Sequence, residues 1–564
     1  LHKAIRRQRQ MCIRDRIGII VWVVRQKQND SADYFLGGRD ATWLAIGASI
    51  FASNIGSEHL IGLAGAGASS GMAMAHWEIQ GWMILILGWV FVPFYTRSMV
   101  YTMPEFLERR YNPQSRTILS VISLVSYVLT KVAVTVYAGG LVFQQVFGIK
   151  ELWGIDFFWI AAIGLVVLTA LYTIFGGMKS VLYTSVLQTP ILLLGSLIIL
   201  VLGFKELGGW DEMMRVCGAV TVNDYGDTMT NLIRSNDDAN FPWLGALIGS
   251  AIIGFWYWCT DQFIVQRVLS GKNEMEARRG TIFGAYLKLL PVFLFLIPGM
   301  IAFALHQKYI GAGGEGFLPM LANGTANADA AFPTLVAKLL PAGVKGLVVC
   351  GILAALMSSL ASLFNSSAML FTIDFYKRFK PETPEKKLVG IGQIATIVIV
   401  VLGILWIPIM RSVGDVLYTY LQDVQSVLAP GIAAAFLLGI CWKRTSAQGG
   451  MWGLISGMVI GLTRLGAKVY YSNAGEVADS TFKYLFYDMN WLFFCGWMFL
   501  FCIIVVIVVS LATEAPTAEK IQGLVFGTAT KEQKAATRAS WNHWDIIHTV
   551  IILAITAAFY WYFW

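Results

Sequence analysis

The stretch Thr42–Gly67, TWLAIGASIFASNIGSEHLIGLAGAG, decides the fold class of this protein. It is long enough to cross a bilayer as a helix, which takes about 20 residues, but the polar run SNIGSEH at 53–59 interrupts it. Irregular backbone is tolerated at membrane depth only where it is buried in protein or lines a cavity. Membrane transporters place substrate and ion sites at such broken helices. The stretch therefore predicts a transporter; a merely kinked helix, with Ser and Asn bonded to their own backbone, is the alternative.

The composition is that of a membrane protein. Of 564 residues, 57% are hydrophobic and 13% are charged, and the mean hydropathy is +0.63. Soluble domains carry about 25% charged residues. No basic tract with interleaved aromatics points to nucleic acid, and the Cys spacing fits neither a metal site nor a disulfide framework. The expected environment is the lipid bilayer.

Thirteen full spans are predicted from apolar runs of about 20 residues. The first 16 residues are basic and lead into a short apolar run, 17–24, so we expect a truncated first helix and no signal peptide. The predicted spans are 42–68, 72–95, 118–147, 157–175, 180–204, 243–268, 281–305, 344–376, 388–409, 413–441, 447–466, 490–511 and 544–563.

The order of these spans indicates an inverted repeat. Five spans in 42–204 are followed by an extracellular loop, 205–242, and by five spans in 243–441. Because five is odd, the second set crosses the membrane in the opposite sense, as inverted repeats require. Residues 1–41 form an atypical basic N-terminus with a cytoplasmic loop, and 442–564 form C-terminal flanking helices. The Lys and Arg distribution then places the C-terminus outside.

Polar side chains in other spans are candidates for solute binding. Glu78 suits accepting hydrogen bonds from a polyol or pairing with a cation, unless it is merely interfacial. Lys288 lies inside a span and must face the bundle interior with a partner, such as Glu78, Asn54 or Gln422. Gln422 both donates and accepts, which suits sugar hydroxyls. Lys131 is similarly placed and is a candidate for a structural ion pair.

Two further patterns are open to two interpretations each. The aromatic run at 256–258 offers flat faces for stacking on a sugar, or it is core packing. Ala355, Ser358 and Ser359 fall within one helical turn, so that a carbonyl and two hydroxyls can face one sodium ion. Serines in membrane helices also serve close helix packing.

Longer segments resemble one known family. They are SNIGSEHLIGLAGAGASSG (53–71), TIFGGMKSVLYTSVLQT (173–189), WYWCTDQFIVQR (256–267), YLKLLPVFLFLIPGM (286–300), ALMSSLASLFNSSAMLFTIDFY (355–376) and the stretch from YLQ to WKRT (420–445). In order and register they resemble the sodium/glucose cotransporter branch of the sodium:solute symporter family.

The resemblance implies an all-α polytopic membrane protein with a leucine-transporter-type five-plus-five inverted-repeat core and extra flanking helices. It implies a plasma-membrane symporter, not an enzyme, that imports a glucose- or galactose-like hexose with sodium by alternating access. Sodium and the sugar are the expected partners, and no obligatory protein partner is evident. The alternatives are a polyol, a sugar acid or another small solute, a sugar sensor or leak channel, and proton coupling.

The resemblance also assigns roles to individual residues. Sodium would bind the carbonyls of Ala52, Ile55 and Ala355 and the hydroxyls of Ser358 and Ser359. The sugar would bind Asn54, His59, Glu78, Lys288 and Gln422, with Tyr257 as inner gate, and the outer lid would be Leu63, Trp77 and Tyr418.

Several positions depart from the family pattern. Gly254 stands where family sugar transporters carry Asn or Thr, and the position read as Gln80 or Gly81 lacks the Ser of a galactose transporter. Ser185 replaces an acidic residue associated with a second sodium site, and Ala361 lacks the hydroxyl which that site would use. We therefore predict one sodium ion per solute.

Overall fold

The computed structural model describes residues 35–56, 58–321, 324–411, 417–473 and 478–564. Of the predicted N-terminal region 1–41, only the last residues fall within this description. The helices are α1 (Trp43–Asn54), α2 (Ala64–Ser70), α3 (Ala75–Glu78), α4 (Gly81–Ile86), α5 (Val92–Ser98), α6 (Met103–Arg110), α7 (Pro113–Ser126), α8 (Ala133–Phe147), α9 (Phe157–Leu207), α10 (Trp210–Gly218), α11 (Trp243–Gly254), α12 (Gln262–Leu269), α13 (Glu274–Lys288), α14 (Ile297–Gly311), α15 (Ala331–Leu339), α16 (Ala342–Met369), α17 (Lys377–Phe379), α18 (Glu385–Arg411), α19 (Leu417–Cys441), α20 (Ala447–Asn473), α21 (Thr481–Lys483), α22 (Trp491–Ala512), α23 (Ala518–Ile521), α24 (Lys531–Ala539) and α25 (His543–Tyr562).

Wider and tighter helical turns interrupt or extend these helices. Short 3₁₀ turns lie at Gly37–Arg39, Gly71–Met74 and Ala328–Ala330. Turns of π-helix lie at Glu58–Leu63, Leu87–Phe91, Tyr127–Val132, Phe255–Thr260, Val292–Leu296, Leu370–Tyr376 and Tyr484–Asp488. A two-residue antiparallel hairpin, β1 (Glu151–Leu152) and β2 (Ile155–Asp156), pairs Glu151 with Asp156 and joins α8 to α9.

The helix interruption predicted at 53–59 is present. Helix α1 ends at Asn54, and Ile55 has extended backbone angles of φ −81° and ψ 100°. Helical structure resumes at Glu58 as a π-helical turn. A Cβ on Gly56 would lie 2.6 Å from Ser359 Oγ, so the broken backbone passes very close to α16. The break therefore brings freed backbone carbonyls against a second helix.

Helix α9 contains two predicted spans without a break in its helical hydrogen bonding. Twenty residues apart, Leu165 and Ser185 would lie about 30 Å apart in a straight helix. Yet Leu165 and Leu356 lie beside the same residue, Gly139, and Ser185 Oγ lies 3.3 Å from Ser358 Oγ. The chain therefore departs from a straight helix between 165 and 185.

The packing forms one bundle around the broken helix. Helix α1 packs against α13, α9 and α16, and α16 packs along α9. Helices α19, α20 and α22 pack against one another, and α19 also contacts the Glu58–Leu63 turn and α11. The break in α1 consequently lies among several helices, where its polar groups have protein partners.

The described residues include nine helical runs that are long and apolar enough to cross a membrane. Shorter apolar helices lie at Trp43–Asn54, Ala133–Gln144 and Phe157–Leu171. Twelve of the predicted spans coincide with these runs and helices, and the remaining one, 447–466, lies in α20. The number of spans stays a prediction, because several runs are longer than one crossing needs.

Candidate functional site

The structure brings together all six residues predicted to bind the solute. They line one cavity between α1, α3, α11, α13 and α19: Asn54, His59, Glu78, Tyr257, Lys288 and Gln422. Trp77 in α3 and Gln80 in the turn between α3 and α4 line it as well. These residues come from both predicted repeats. Their side chains converge although the sequence separates them by several hundred positions.

Turns of π-helix position much of this cavity. The Glu58–Leu63 turn carries His59, and the Phe255–Thr260 turn carries Tyr257. A third turn, Val292–Leu296, follows Lys288. A π-helical turn bulges from the helix and is frequent at functional sites. These turns could not be predicted from the sequence, because one extra residue per turn barely disturbs an apolar pattern.

A buried charge network occupies one wall of the cavity. Lys288 Nζ donates a hydrogen bond to Glu78 Oε2 at 2.7 Å, and His59 Nε2 lies 3.1 Å from the same oxygen. Glu78 is 0% exposed and Lys288 is 4% exposed. The carboxylate of Glu78 is therefore buried and paired, which favours a role in the cavity over a merely interfacial one.

The network leaves the Asn54 amide available to a solute. His59 Nε2 lies 3.3 Å from Asn54 Nδ2 as well as within reach of Glu78. One imidazole nitrogen carries at most one hydrogen, so it cannot donate to Glu78 and accept from Asn54 together. The carboxylate is the stronger acceptor and takes this hydrogen. The Asn54 N–H groups are then free to turn towards the cavity.

Two neutral polar groups in the cavity wall are open to hydrogen bonds from a solute. Among the residues that the structure describes, Gln422 Oε1 and Trp77 Nε1 are buried without a hydrogen-bond partner. A buried unpaired donor or acceptor costs about 1–3 kcal/mol. A solute that presents hydroxyl groups satisfies both an acceptor and a donor of this kind.

Of the three residues predicted to form an outer lid, Trp77 lines the cavity. Trp77 stacks on Trp491, with ring centroids 5.5 Å apart and an interplanar angle of 20°, and Leu63 is buried in its π-helical turn. Nothing in the sequence links Trp491 to Trp77, so sequence reasoning missed this contact. Tyr418 lies on α19, but its side chain is outside the part of the chain that the structure describes.

Tyr257 separates the cavity from a second ion pair. Its ring packs edge-on against Trp258, with centroids 4.9 Å apart, and Lys131 Nζ lies 4.6 Å from its ring centroid. Lys131 Nζ donates to Asp261 Oδ2 at 2.5 Å. Lys131 thus belongs to an ion pair, as one interpretation of the sequence held. In the aromatic run at 256–258, Tyr257 and Trp258 line the cavity, whereas Trp256 is buried in the core.

Two of the five predicted sodium residues, Ile55 and Ser359, meet where α1 ends against α16. Ser359 Oγ donates to the Ser53 carbonyl at 3.1 Å and to the Ile55 carbonyl at 3.4 Å. Ser358 Oγ lies 3.3 Å from Ser185 Oγ, and Ala52 in α1 and Ala355 in α16 are buried. These oxygens are neutral, and freed carbonyls of broken helices coordinate sodium in transporters. The Ser53 carbonyl and Ser185 were not among the predicted ligands.

Comparisons with known proteins agree on one family. The profile of the Sodium:solute symporter family matches residues 34–457. Sodium/myo-inositol cotransporter 2 of Homo sapiens is 36% identical over 526 residues, which cover 91% of this chain and 77% of that protein. Sodium/myo-inositol cotransporter of Canis lupus familiaris is 37% identical over 525 residues, covering 89% and 72%.

A solved structure shares the fold. It is a Na⁺-coupled sialic acid symporter in a substrate-bound outward-open state, with a TM-score of 0.72 and 21% sequence identity. The match covers 91% of this chain and 99% of that chain. The expected fold class, an all-α polytopic protein with a leucine-transporter-type inverted-repeat core, is confirmed.

The match to the family profile and to the sodium-coupled relatives settles the coarse function. The protein is a transporter and not an enzyme, and sodium is its coupling ion. It carries out sodium-coupled symport of a small solute across a membrane that it crosses several times. The chain belongs to the sodium:solute symporter family.

Proposed function

We propose that the protein imports a neutral polyol, of the inositol type, together with sodium by alternating access. The observation that carries this proposal is the pairing inside the cavity. Glu78, Lys288 and His59 satisfy one another there, while neutral groups such as Gln422 Oε1 remain unpaired among the described residues. A polyhydroxylated neutral ring complements such a wall. The names of the curated relatives point to myo-inositol and not to the hexose that the sequence analysis put first.

The same pairing argues against a sugar acid. A carboxylate-bearing solute needs a cation that is free to meet it. Lys288 and His59 are the two candidates in this cavity, and both contact Glu78. Exchanging the Glu78 carboxylate for that of a solute gains little binding free energy, because one ion pair is lost for each one formed. A neutral solute requires no such exchange.

Sodium and solute would cooperate through the break in α1. Sodium at the carbonyls of Ala52 and Ile55 and at the hydroxyl of Ser359 would join α1 to α16 and fix the end of α1. Asn54 lies beside these carbonyls and lines the solute cavity. Sodium favours the outward-open form only as far as it binds that form more tightly. An inside-negative potential contributes about 2.3 kcal/mol per charge per 100 mV.

Gating follows from the cavity walls. Trp77, Leu63 and Tyr418 would close the outer side, and Tyr257 would yield towards the cytoplasm. We infer one sodium ion per solute and a plasma-membrane location with the C-terminus outside. The proposed repeats remain 42–204 and 243–441, flanked by 1–41, the loop 205–242 and 442–564.

Uptake into proteoliposomes tests the proposal. Labelled myo-inositol, glucose and galactose are offered under inward sodium or potassium gradients. We expect sodium-dependent accumulation, with myo-inositol the preferred solute. Accumulation that is indifferent to sodium would contradict sodium coupling in this protein, and a preference for glucose would return the assignment to a hexose.

Ser359→Ala should weaken sodium activation. The variant loses the hydroxyl that lies between the Ser53 and Ile55 carbonyls, and losing one such oxygen is expected to cost about tenfold in apparent sodium affinity. The measurement is the sodium dependence of uptake at fixed solute. Ser367→Ala is the matched control, because it removes a buried α16 hydroxyl that has no partner among the described residues. Equal sodium curves for the two variants would refute the assignment.

A further inference from the structure

A glutamine and a glycine fit together in the cavity wall. Gln80 lies in the turn between α3 and α4, is 3% exposed, and donates from Nε2 to the Ser250 carbonyl at 2.7 Å. A Cβ on Gly254 would lie 2.4 Å from Gln80 Oε1 and 2.9 Å from Cδ. Ser250 and Gly254 are one turn apart on α11. The Gln80 amide therefore lies flat along this turn, in the space that a side chain at 254 would fill.

We propose that Gln80 and Gly254 form an interdependent specificity-determining pair for the transported solute. Gly254 provides the space, and the amide of Gln80, from the turn between α3 and α4, occupies it. The amide supplies a hydrogen-bonding group where a polar side chain on α11 would otherwise project. This inference rests on the proposed function, since it takes the cavity as the solute site.

The anchoring of Gln80 gives the pair its selectivity. Because Nε2 is held by the Ser250 carbonyl, the amide plane is fixed before a solute arrives, and less side-chain entropy is lost on binding. A fixed carbonyl oxygen discriminates strongly between solutes that bear a hydroxyl opposite it and those that do not, because a missing partner leaves a buried polar group unpaired. The pair thus selects ring polyols with a hydroxyl on the side that faces α11.

Substitution of Gly254 distinguishes a role in solute selectivity from a role in folding. In a helix interior, Ala is more favourable than Gly by about 0.5–1 kcal/mol. Gly254→Ala should therefore leave the amount of folded protein unchanged or higher. The three heavy atoms nearest to its added methyl group all belong to the Gln80 amide, which can move aside at the cost of its hydrogen bond to the Ser250 carbonyl. The expected damage is a displaced amide and a poorer solute site.

A double-mutant cycle in full-length protein tests the pair. Gly254→Ala and Gln80→Ala are each expected to raise the KM for myo-inositol about tenfold. The double variant Gln80→Ala/Gly254→Ala should show the KM of Gln80→Ala alone, because the methyl then meets empty space. The control double variant combines Gly254→Ala with Gln425→Ala, which removes another buried amide of the same cavity. There the two losses should multiply, as for independent sites.

Two results would overturn the pair. One is an unchanged KM in Gly254→Ala; the other is multiplied losses in the Gln80→Ala/Gly254→Ala double variant. Failure of the proposed solute is a separate result, because it shows in the unsubstituted protein as glucose or galactose preferred over myo-inositol. The cycle is then measured with the preferred solute, and the same two results decide it.

Discussion

Glu78→Gln should abolish concentrative solute uptake. The substitution removes the carboxylate that pairs with Lys288 at 2.7 Å and lies 3.1 Å from His59. Among the described residues, the Lys288 ammonium, which is 4% exposed, would then face a neutral glutamine amide and the Trp258 ring, at 5.4 Å from its centroid. Breaking a buried ion pair by removing one partner costs about 3–5 kcal/mol. We expect uptake at low solute concentration to fall by about 100-fold or more, measured beside the amount of folded protein.

A second variant separates folding from transport. Glu78→Gln/Lys288→Met removes both charges and keeps similar volumes, and such neutral replacements of buried pairs are often well tolerated. It should recover folded protein but not uptake, because the cavity has lost the Glu78 carboxylate and the Lys288 ammonium. Wild-type uptake in Glu78→Gln, with a normal amount of protein, would show that the carboxylate has no part in solute binding.

The broken helix illustrates what the sequence could predict about the fold. A polar run in the middle of an apolar stretch is expensive in a membrane, so SNIGSEH had to mark an interruption buried in protein. The structure has it at Ile55. A lysine inside a span needs a partner for the same reason, and Glu78 was one of three candidates for Lys288.

Contacts between distant segments lay beyond sequence reasoning. The stacking of Trp77 on Trp491 depends on how two helices pack, and neither residue carries a local signal of it. The hydrogen bond of Gln80 to the Ser250 carbonyl depends on a turn between short helices. Residue types alone could not choose between a hexose and a polyol, because both solutes bind neutral donors and acceptors. The choice depends on where a few amides lie.

The second large effect is expected at the ion pair behind Tyr257. Lys131 and Asp261 are 2% and 3% exposed. Lys131 Nζ lies 4.2 Å from the ring centroid of Phe263 and 5.0 Å from that of Tyr127. Asp261 accepts hydrogen bonds from the Tyr127 hydroxyl and, at 3.2 Å, from the Phe263 backbone N–H. The surroundings thus favour a cation at 131 and an anion at 261.

Asp261→Asn should therefore reduce both folded protein and uptake. It leaves a buried ammonium with aromatic faces alone, each worth about 2 kcal/mol when desolvated, against a loss of about 3–5 kcal/mol for the broken pair. Asn remains a good N-cap residue, so α12 keeps its start and the effect isolates the charge. The expected result is a lower temperature of unfolding in detergent and uptake reduced about tenfold.

Two double variants, one that removes both charges and one that exchanges them, show whether the uncompensated charge causes the loss of stability. Lys131→Met/Asp261→Asn should restore the unfolding temperature, because no buried charge is left uncompensated. Lys131→Asp/Asp261→Lys should not, because the negative faces of the aromatic rings repel an anion at 131. At 261, the Tyr127 hydroxyl and the Phe263 N–H both donate towards the side chain, and an ammonium accepts neither. Rescue by the reversed pair would mean that the attraction between the two charges matters and the aromatic surroundings do not.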